Sequence, residues 1–457
     1  MFNIIAIIGA GIISAISSFM INLIKKNKIL VFEINNKISI ENSKTTNNAG
    51  TGHEGMCENN YIKLINNKYY IIKNIRIYNK FLNTKNFFSW IRYFKIFNLK
   101  NIIVKTIHSS FFFFKFNKKL LKIFNKIKIF NKNILFNNNN YYNNKICSLI
   151  LKKKKIKKKF SISLYKYGFD INYQYLSIKI FNFLTKKKKI FLFLNYNVFK
   201  INNFSKKIKL FIFKKKIIKI VVDKIIICSG GNTLELLKKI NNNIKNIFYE
   251  LPINGTWLIN EENKIIKKHN LKIYSESLKE NPPMSIPHLD IRTIYNENKI
   301  FFGPYAGLTL KILINKKKNI IKSISFKQIF DLLYFSYKNN TIIKYLLIEN
   351  LKTKNSKIKN IYPFCKIIKN TYHKKAGKRL QILKKYNKKI KLIFGTKIIY
   401  NKNINIVALL GASPGASVAS NIVNNIIKKW FLNKNFFINY KKKKKNKIFN
   451  NIIFERN

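Results

Sequence analysis

The segment that most restricts the fold is residues 3 to 24, NIIAIIGAGIISAISSFMINLI, which carries no charge in a chain where 23% of residues are charged. A run of that length and apolarity suits a membrane span or signal sequence, but no basic stretch precedes it. Its internal order fits something else: a β-rich run IIAII, a GAG turn, a helix ISAISSFMINLI, and a second strand ILVFE ending in an acid. That is the strand–turn–helix–strand order of a dinucleotide-binding βαβ unit. Gly9 makes the tight turn, and Gly11 lets the backbone approach a pyrophosphate, which the unpaired N–H groups of the helix N-terminus stabilise. Glu33, 24 residues after Gly9, is placed to accept a hydrogen bond from the adenosine ribose. Ser14 replaces the third glycine of the fingerprint and is small enough for close helix–strand packing. The expected ligand is FAD or NAD; a buried helix or a membrane anchor is the alternative.

The chain has 457 residues, 47% of them apolar, enough for two domains or one elaborate one. Its net charge of +73 suggests nucleic acid or an anionic membrane, yet only five of the 90 basic residues are arginines. A phosphate- or base-reading surface draws on the bidentate guanidinium. The over-used residues Lys, Asn, Ile, Phe and Tyr have codons written almost wholly in A and T, so the charge reads mainly as compositional drift. Rare residues then mark places where chemistry or geometry resists that drift. Fourteen of fifteen glycines fall in short islands, and only Gly168 stands alone in the long stretch after Gly55. The cysteines at 57, 147, 228 and 365 show neither CxxC spacing nor a disulfide framework, and no metal site is expected.

Three islands extend the nucleotide reading. Residues 47 to 61, NNAGTGHEGMCENNY, follow the second strand and form a glycine-dense loop able to turn back over the nucleotide, with Asn48, Gly50 and Thr51 against the cofactor and His53 in an active-site wall. A solvated surface turn is the alternative for that loop. Residues 217 to 240 read as strand, double glycine (Gly230, Gly231) and helix, with Asn232 and Glu235 in a capping-box-like start. Residues 405 to 429 repeat that grammar, with Ser413 or a neighbour able to cap and Pro414 suited to the first turn. The segment PPMSIPHLDIRTIYNENKIFFGPYAGLTLK, residues 282 to 311, reads as a hairpin around NENK.

Together IIGAGIISA, NNAGTGHEGMCENNY, PPMSIPHLDIRTIYNENKIFFGPYAG, AGKRLQILKK and ALLGASPGASVA, in this order, closely resemble the bacterial malate:quinone oxidoreductase family. The match covers residues 1 to 64 and about 223 to 424; between 65 and 220 low-complexity sequence hides any likeness. The resemblance implies an α/β fold: a Rossmann-like FAD-binding domain of the D-amino-acid-oxidase type with a second, mostly antiparallel β-sheet substrate domain. In that fold the helix after ALLGASPGASVA points its N-terminus at the flavin, which makes Gly411, Ser413, Gly415 and Ala416 cofactor candidates. On that basis residues 1–64, 212–250 and 375–430 are expected to form the FAD domain, 65–211 and 251–374 the substrate domain, and 431–457 a basic tail. The implied chemistry is FAD-dependent oxidation of (S)-malate to oxaloacetate, a step of the tricarboxylic acid cycle, with electrons passed to a membrane quinone.

A dicarboxylate needs two anion holders and a base for its C2 hydroxyl. Arg292 and Arg379 are the expected clamps, because a guanidinium grips two carboxylate oxygens, with Lys311 as a weaker addition. A neutral imidazole suits the base, which gives His288 that role and His53 that of a polar wall or hydrogen-bond donor. Asp290 either orients His288 or braces Arg292; His108, His269 and His373 read as structural. The enzyme is expected to be cytoplasmic and peripheral to the membrane, touching it through the Lys- and aromatic-rich tail, with no nucleic acid partner. The competing readings are an FAD-dependent dehydrogenase of another 2-hydroxy acid, such as L-2-hydroxyglutarate, a basic nucleic-acid-binding protein, and an integral membrane protein.

Overall fold

The computed structural model describes residues 3–24, 27–52, 62–65, 68–71, 102–112, 134–137, 161–204, 207–241, 243–274, 288–313, 326–359, 370–387, 389–393, 395–401, 405–411 and 416–431. The opening segment folds as β1 (Ile4–Ile8), α1 (Ile12–Ile24) and β2 (Lys28–Glu33), with β1 parallel to β2 on one side and to strand Lys224–Ile227 on the other. These strands are the centre of a six-stranded sheet, ordered Lys397–Asn401, Ile406–Leu410, Lys224–Ile227, β1, β2 and Ile190–Leu194, parallel except for its first strand.

The apolar run of β1 follows from burial on both faces. Ile5 and Ile7 pack with α1 and with helices Tyr173–Lys186 and Ala419–Phe431. Ala6 and Ile8 face the opposite way, onto a three-stranded antiparallel sheet of Asn197–Phe204, Lys207–Phe213 and Ile217–Val222. Ile5 and Ile7 are completely buried, so truncating either to Ala would cost about 2–5 kcal/mol. The same packing explains why α1 is so apolar. It has 13 residues, whereas a membrane span takes about 20, and among the described residues no helix is long and apolar enough to cross a membrane.

A large, mostly antiparallel sheet supplies the second half. Its hub is strand Phe248–Asn260, which pairs with Arg379–Tyr386, Thr371–Lys375 and Glu297–Leu308. Beyond Glu297–Leu308 come His288–Ile294, Leu271–Tyr274, Ile103–Phe112, Ser161–Ile171 and the two residues Thr51–Gly52. Alternation along the hub strand sets the layers. Phe248 packs towards the three-stranded sheet, whereas Tyr249, Leu251 and Ile253 pack under helices Phe326–Lys338 and Asn340–Leu351.

The architecture differs from the sequence reading in its boundaries. Residues 173 to 211, expected with the substrate domain, give a helix, an edge strand and two meander strands to the parallel-sheet half. Strands Arg379–Tyr386 and Lys389–Ile393, expected with the FAD domain, belong to the large sheet. Helix YQYLSIKIFNFLTK was hidden because its Ile, Phe and Lys are also the background letters of the chain. The hairpin turn also sits earlier than NENK: Tyr295 and Asn296 both have positive φ, 51° and 69°, as a two-residue turn of the favoured hand requires.

Candidate functional site

Three adjacent parallel strands end in glycine turns along one edge of the six-stranded sheet, at Gly9, Gly230 and Gly411, which is where open α/β sheets bind ligands. A cleft runs along this edge. Its walls include Gly9 to Gly11, Glu33, residues 39 to 43, and Gly230, Gly231 and Asn232. Gly9 has φ +99°, and a Cβ there would lie 2.7 Å from Cys228 O. Glu33 is buried, and its carboxylate accepts from Ala10 N at 2.7 Å and from Asn35 N and Nδ2 at 3.0 and 2.8 Å. Burial raises its pKa, with the Asn35 and Ala10 amides pulling the other way. Ser43 Oγ accepts from Ile12 N at 3.1 Å, so this loop meets the first turn of α1. A backbone turn closed to a Cβ atom at Gly9, a helix N-terminus and a carboxylate at the end of β2 fit an adenine dinucleotide. Ser14 is fully buried beside Cys228, whose thiol burial pushes up to about 12, against the pull of the Ser14 hydroxyl.

The second cluster is a ladder of buried charges. His288, Asp290 and Arg292 alternate along one strand and so share a face. His288 Nδ1 lies 2.7 Å from Asp290 Oδ2, with the rings of Tyr274 and Trp257 at 4.9 and 5.4 Å from the imidazole. Lys272 Nζ is 2.8 Å from Asp170 Oδ1 and 3.7 Å from Asp290 Oδ2. Asp170 Oδ2 accepts from Thr293 N at 2.8 Å. Arg292 Nε makes an ion contact of 2.7 Å with Asp170 Oδ1, although its N–H direction is not that of a hydrogen bond. Burial alone would push the Asp290 pKa up, but His288, Lys272 and Arg292 outweigh it and hold the carboxyl well below the usual carboxylate range.

This ladder grips the glycine loop that follows β2. Lys272 Nζ donates to Ala49 O at 2.9 Å, and Arg292 donates to Asn48 O and, at 3.4 Å, to Thr45 O. Gly50 has φ +57° and lies against the Arg292 guanidinium, while Asn48 Oδ1 accepts from Gly50 N at 2.9 Å. Thr51 Oγ1 is 3.1 Å from Tyr274 Oη, and its carbonyl accepts from Tyr173 Oη at 2.7 Å. Asn48, Gly50, Thr51, His288 and Arg292 are therefore one unit.

The expected substrate clamps and the remaining cofactor residues have varied surroundings. Arg292 is fully buried and committed to Asp170 and the loop carbonyls, a geometry different from that of a free substrate clamp. Arg379 lines a small cavity with Gly255, Pro304, Ala376 and Gly377, the last donating its N–H to Asn47 O of the same loop at 2.8 Å. Lys311 is exposed, next to Ile312 and Leu313 of the cleft wall. Gly411 packs against Gly395 O, and Ala416 leans on the helical core. His53, Ser413 and Gly415 lie outside the described residues. Sequence reasoning missed Asp170 and Lys272. Asp170 is one of only 17 acids and stands two residues after the isolated Gly168, a usable signal; Lys272 is one of 90 basic residues and carried none.

Comparisons with known proteins bear on the family and the fold. Residues 3–453 match the sequence profile of the malate:quinone oxidoreductase family. A probable malate:quinone oxidoreductase of Wigglesworthia glossinidia brevipalpis is 32% identical over 466 residues, covering 97% of this chain and 90% of that one. One from Prochlorococcus marinus is 32% identical over 435 residues, covering 93% and 87%. Among solved structures, L-α-glycerophosphate oxidase from Mycoplasma pneumoniae with FAD bound superposes with a TM-score of 0.59 at 14% identity, covering 95% of this chain and 96% of that one. Glycine oxidase from Bacillus cereus gives 0.57 at 13% identity, covering 94% and 96%.

Proposed function

The chain belongs to the malate:quinone oxidoreductase family, and from that premise we propose that the cleft and the charge ladder are two halves of one site, the first holding FAD and the second handling malate. The protein is an FAD-dependent enzyme that oxidises (S)-malate to oxaloacetate and delivers the electrons to a quinone. The observation that carries the two-part site is the loop 45–51: it leaves the nucleotide half after β2 and is gripped by Lys272 and Arg292 of the substrate sheet.

Gly9, Gly11, Gly230 and Gly231 would hold the dinucleotide through backbone N–H groups, with Glu33 on the adenosine ribose and Asn48, Gly50 and Thr51 nearer the reacting end. Gly411 and Ala416, with Ser413 and Gly415, are assigned to the far edge of the same site. The chemistry the cofactor supplies when bound is that of a two-electron acceptor between malate and quinone. His288 acts as the base. With ionised Asp290 accepting from Nδ1–H, the lone pair sits on Nε2, which takes the proton of the malate C2 hydroxyl. Arg292 is assigned a positioning role, fixing the loop and adding positive potential, and Arg379 remains the candidate for direct contact with a malate carboxylate. Lys311, exposed, adds only long-range attraction for the dianion; His53 keeps the role of hydrogen-bond donor.

Quinones dissolve in the bilayer, so the same reading places the enzyme at the cytoplasmic membrane surface as a peripheral protein, and nothing in it calls for nucleic acid. The test is anaerobic mixing of the purified yellow protein with malate and, separately, with 2-hydroxyglutarate. Rapid bleaching with malate and oxaloacetate as product are expected; bleaching by 2-hydroxyglutarate alone would replace the substrate assignment.

A further inference from the structure

Helices Phe326–Lys338 and Asn340–Leu351 cover the outer face of the large sheet, and each is apolar on both sides. Their inner faces place Leu332, Phe335, Ile343 and Leu346 on the sheet. Ile329, Phe330, Leu333, Tyr334 and Tyr337 are exposed at spacings of one, three and four residues, which is one stripe of a helix. The next helix repeats this with Leu347, Ile348 and Leu351, the last 82% exposed. Eight large apolar side chains on two consecutive helices exceed the scatter that a water-facing surface normally shows.

Charge identifies the occupant. Residues 326–359 contain two carboxylates, and both are tied back into the protein. Asp331 takes Lys385 at 2.7 Å and the Tyr249 hydroxyl, and buried Glu349 pairs with Lys352. Lys338, Lys344 and Lys354 are exposed, so the apolar stripes lie among cations without exposed acids. Apolar stripes carrying tyrosines and bordered by lysines suit the interface of a bilayer with anionic headgroups. We propose that this helix pair is the membrane-docking face of the enzyme, seated on an anionic lipid surface. The proposal rests on the quinone-reductase reading above only for why docking is useful.

The test uses the full-length FAD-loaded protein and co-sedimentation with vesicles of mixed phosphatidylglycerol and phosphatidylcholine, or of phosphatidylcholine alone. Malate-dependent reduction of a water-soluble dye is followed in parallel. Wild type should favour the anionic vesicles. Phe330→Glu/Leu333→Glu/Leu351→Glu should lower that binding at least tenfold, and Lys338→Glu/Lys344→Glu, which leaves the apolar stripes intact, should lower it several-fold. Dye reduction should be unchanged, while reduction of vesicle-embedded quinone falls with binding. Wild-type levels of binding by both variants, or absence of binding by wild type, would overturn the docking face. So would a shift from dimer to monomer in the first variant with vesicle binding intact, which would make the face a contact between copies. Loss of dye reduction in wild type would count against the site reading instead, leaving the vesicle result to decide the docking face.

Discussion

Lys272 Nζ lies 2.8 Å from Asp170 Oδ1, and both side chains are buried. Removing one member of such a pair leaves an uncompensated buried charge, which costs about 3–5 kcal/mol. Lys272→Met should destabilise the FAD-loaded protein by that amount in denaturant unfolding. Lys272→Met/Asp170→Asn should recover part of the loss, because the remaining buried charges, Asp290 and Arg292, balance again; a double variant as unstable as the sum of the singles would show that the two do not act as a pair.

Gly50 sits at φ +57° with the Arg292 guanidinium where its Cβ would go, Cζ being 2.6 Å away. Ala at this position is strained in backbone and displaces the arginine that anchors the loop. Gly50→Ala is expected to lower the rate of malate oxidation by about a hundredfold, the scale of a roughly 1 Å misplacement. Steady-state kinetics with a soluble dye would check this; full activity would detach the loop from the reacting site.

Much of the fold was legible because compositional drift left rare residues only where geometry demanded them. Gly9 and Glu33 stood out for that reason, since a turn closed to a Cβ atom and a buried acid admit few substitutes. The strand His288–Ile294 was also legible in part, its rare His, Asp and Arg standing at alternate positions. Arg292 was assigned to substrate because a guanidinium in a site suggests an anion; its actual anion is Asp170, more than a hundred residues away in sequence. Lys272 could not be seen at all in so lysine-rich a chain, since only pairing across strands distinguishes it. Helix Tyr173–Lys186 was hidden for a similar reason, being written in the background letters.

His269 is buried with Nε2 3.3 Å from Leu289 O, and burial pushes its pKa down to about 4. The unfolded chain takes up a proton at this histidine below about pH 6.5 while the fold resists until about pH 4. The unfolded state therefore holds more protons across that window, so stability is fully present above it and falls as the pH drops through it, by about 3 kcal/mol at the acid end. His269→Gln should flatten this limb in unfolding measured between pH 7 and pH 4 (about the window above). An unchanged slope would mean that His269 titrates normally in the fold.

Glu33 accepts three N–H groups around the GAG turn. Hydrogen bonds to a charged group contribute about 1.5–3 kcal/mol. Glu33→Ala should therefore weaken FAD binding by roughly 10- to 100-fold, read as a lower visible-to-ultraviolet absorbance ratio after purification and recovery on adding excess FAD. A ratio equal to that of wild type would remove Glu33 from the cofactor site.

His288, held by Asp290 at 2.7 Å, is the proposed base on which malate oxidation depends. The most direct measurement is anaerobic stopped-flow bleaching by malate in wild type and His288→Gln, each carrying a full complement of FAD. The variant should bleach slower by about 10²- to 10⁴-fold, with malate still bound at near wild-type affinity. Bleaching at the wild-type rate in His288→Gln would contradict it.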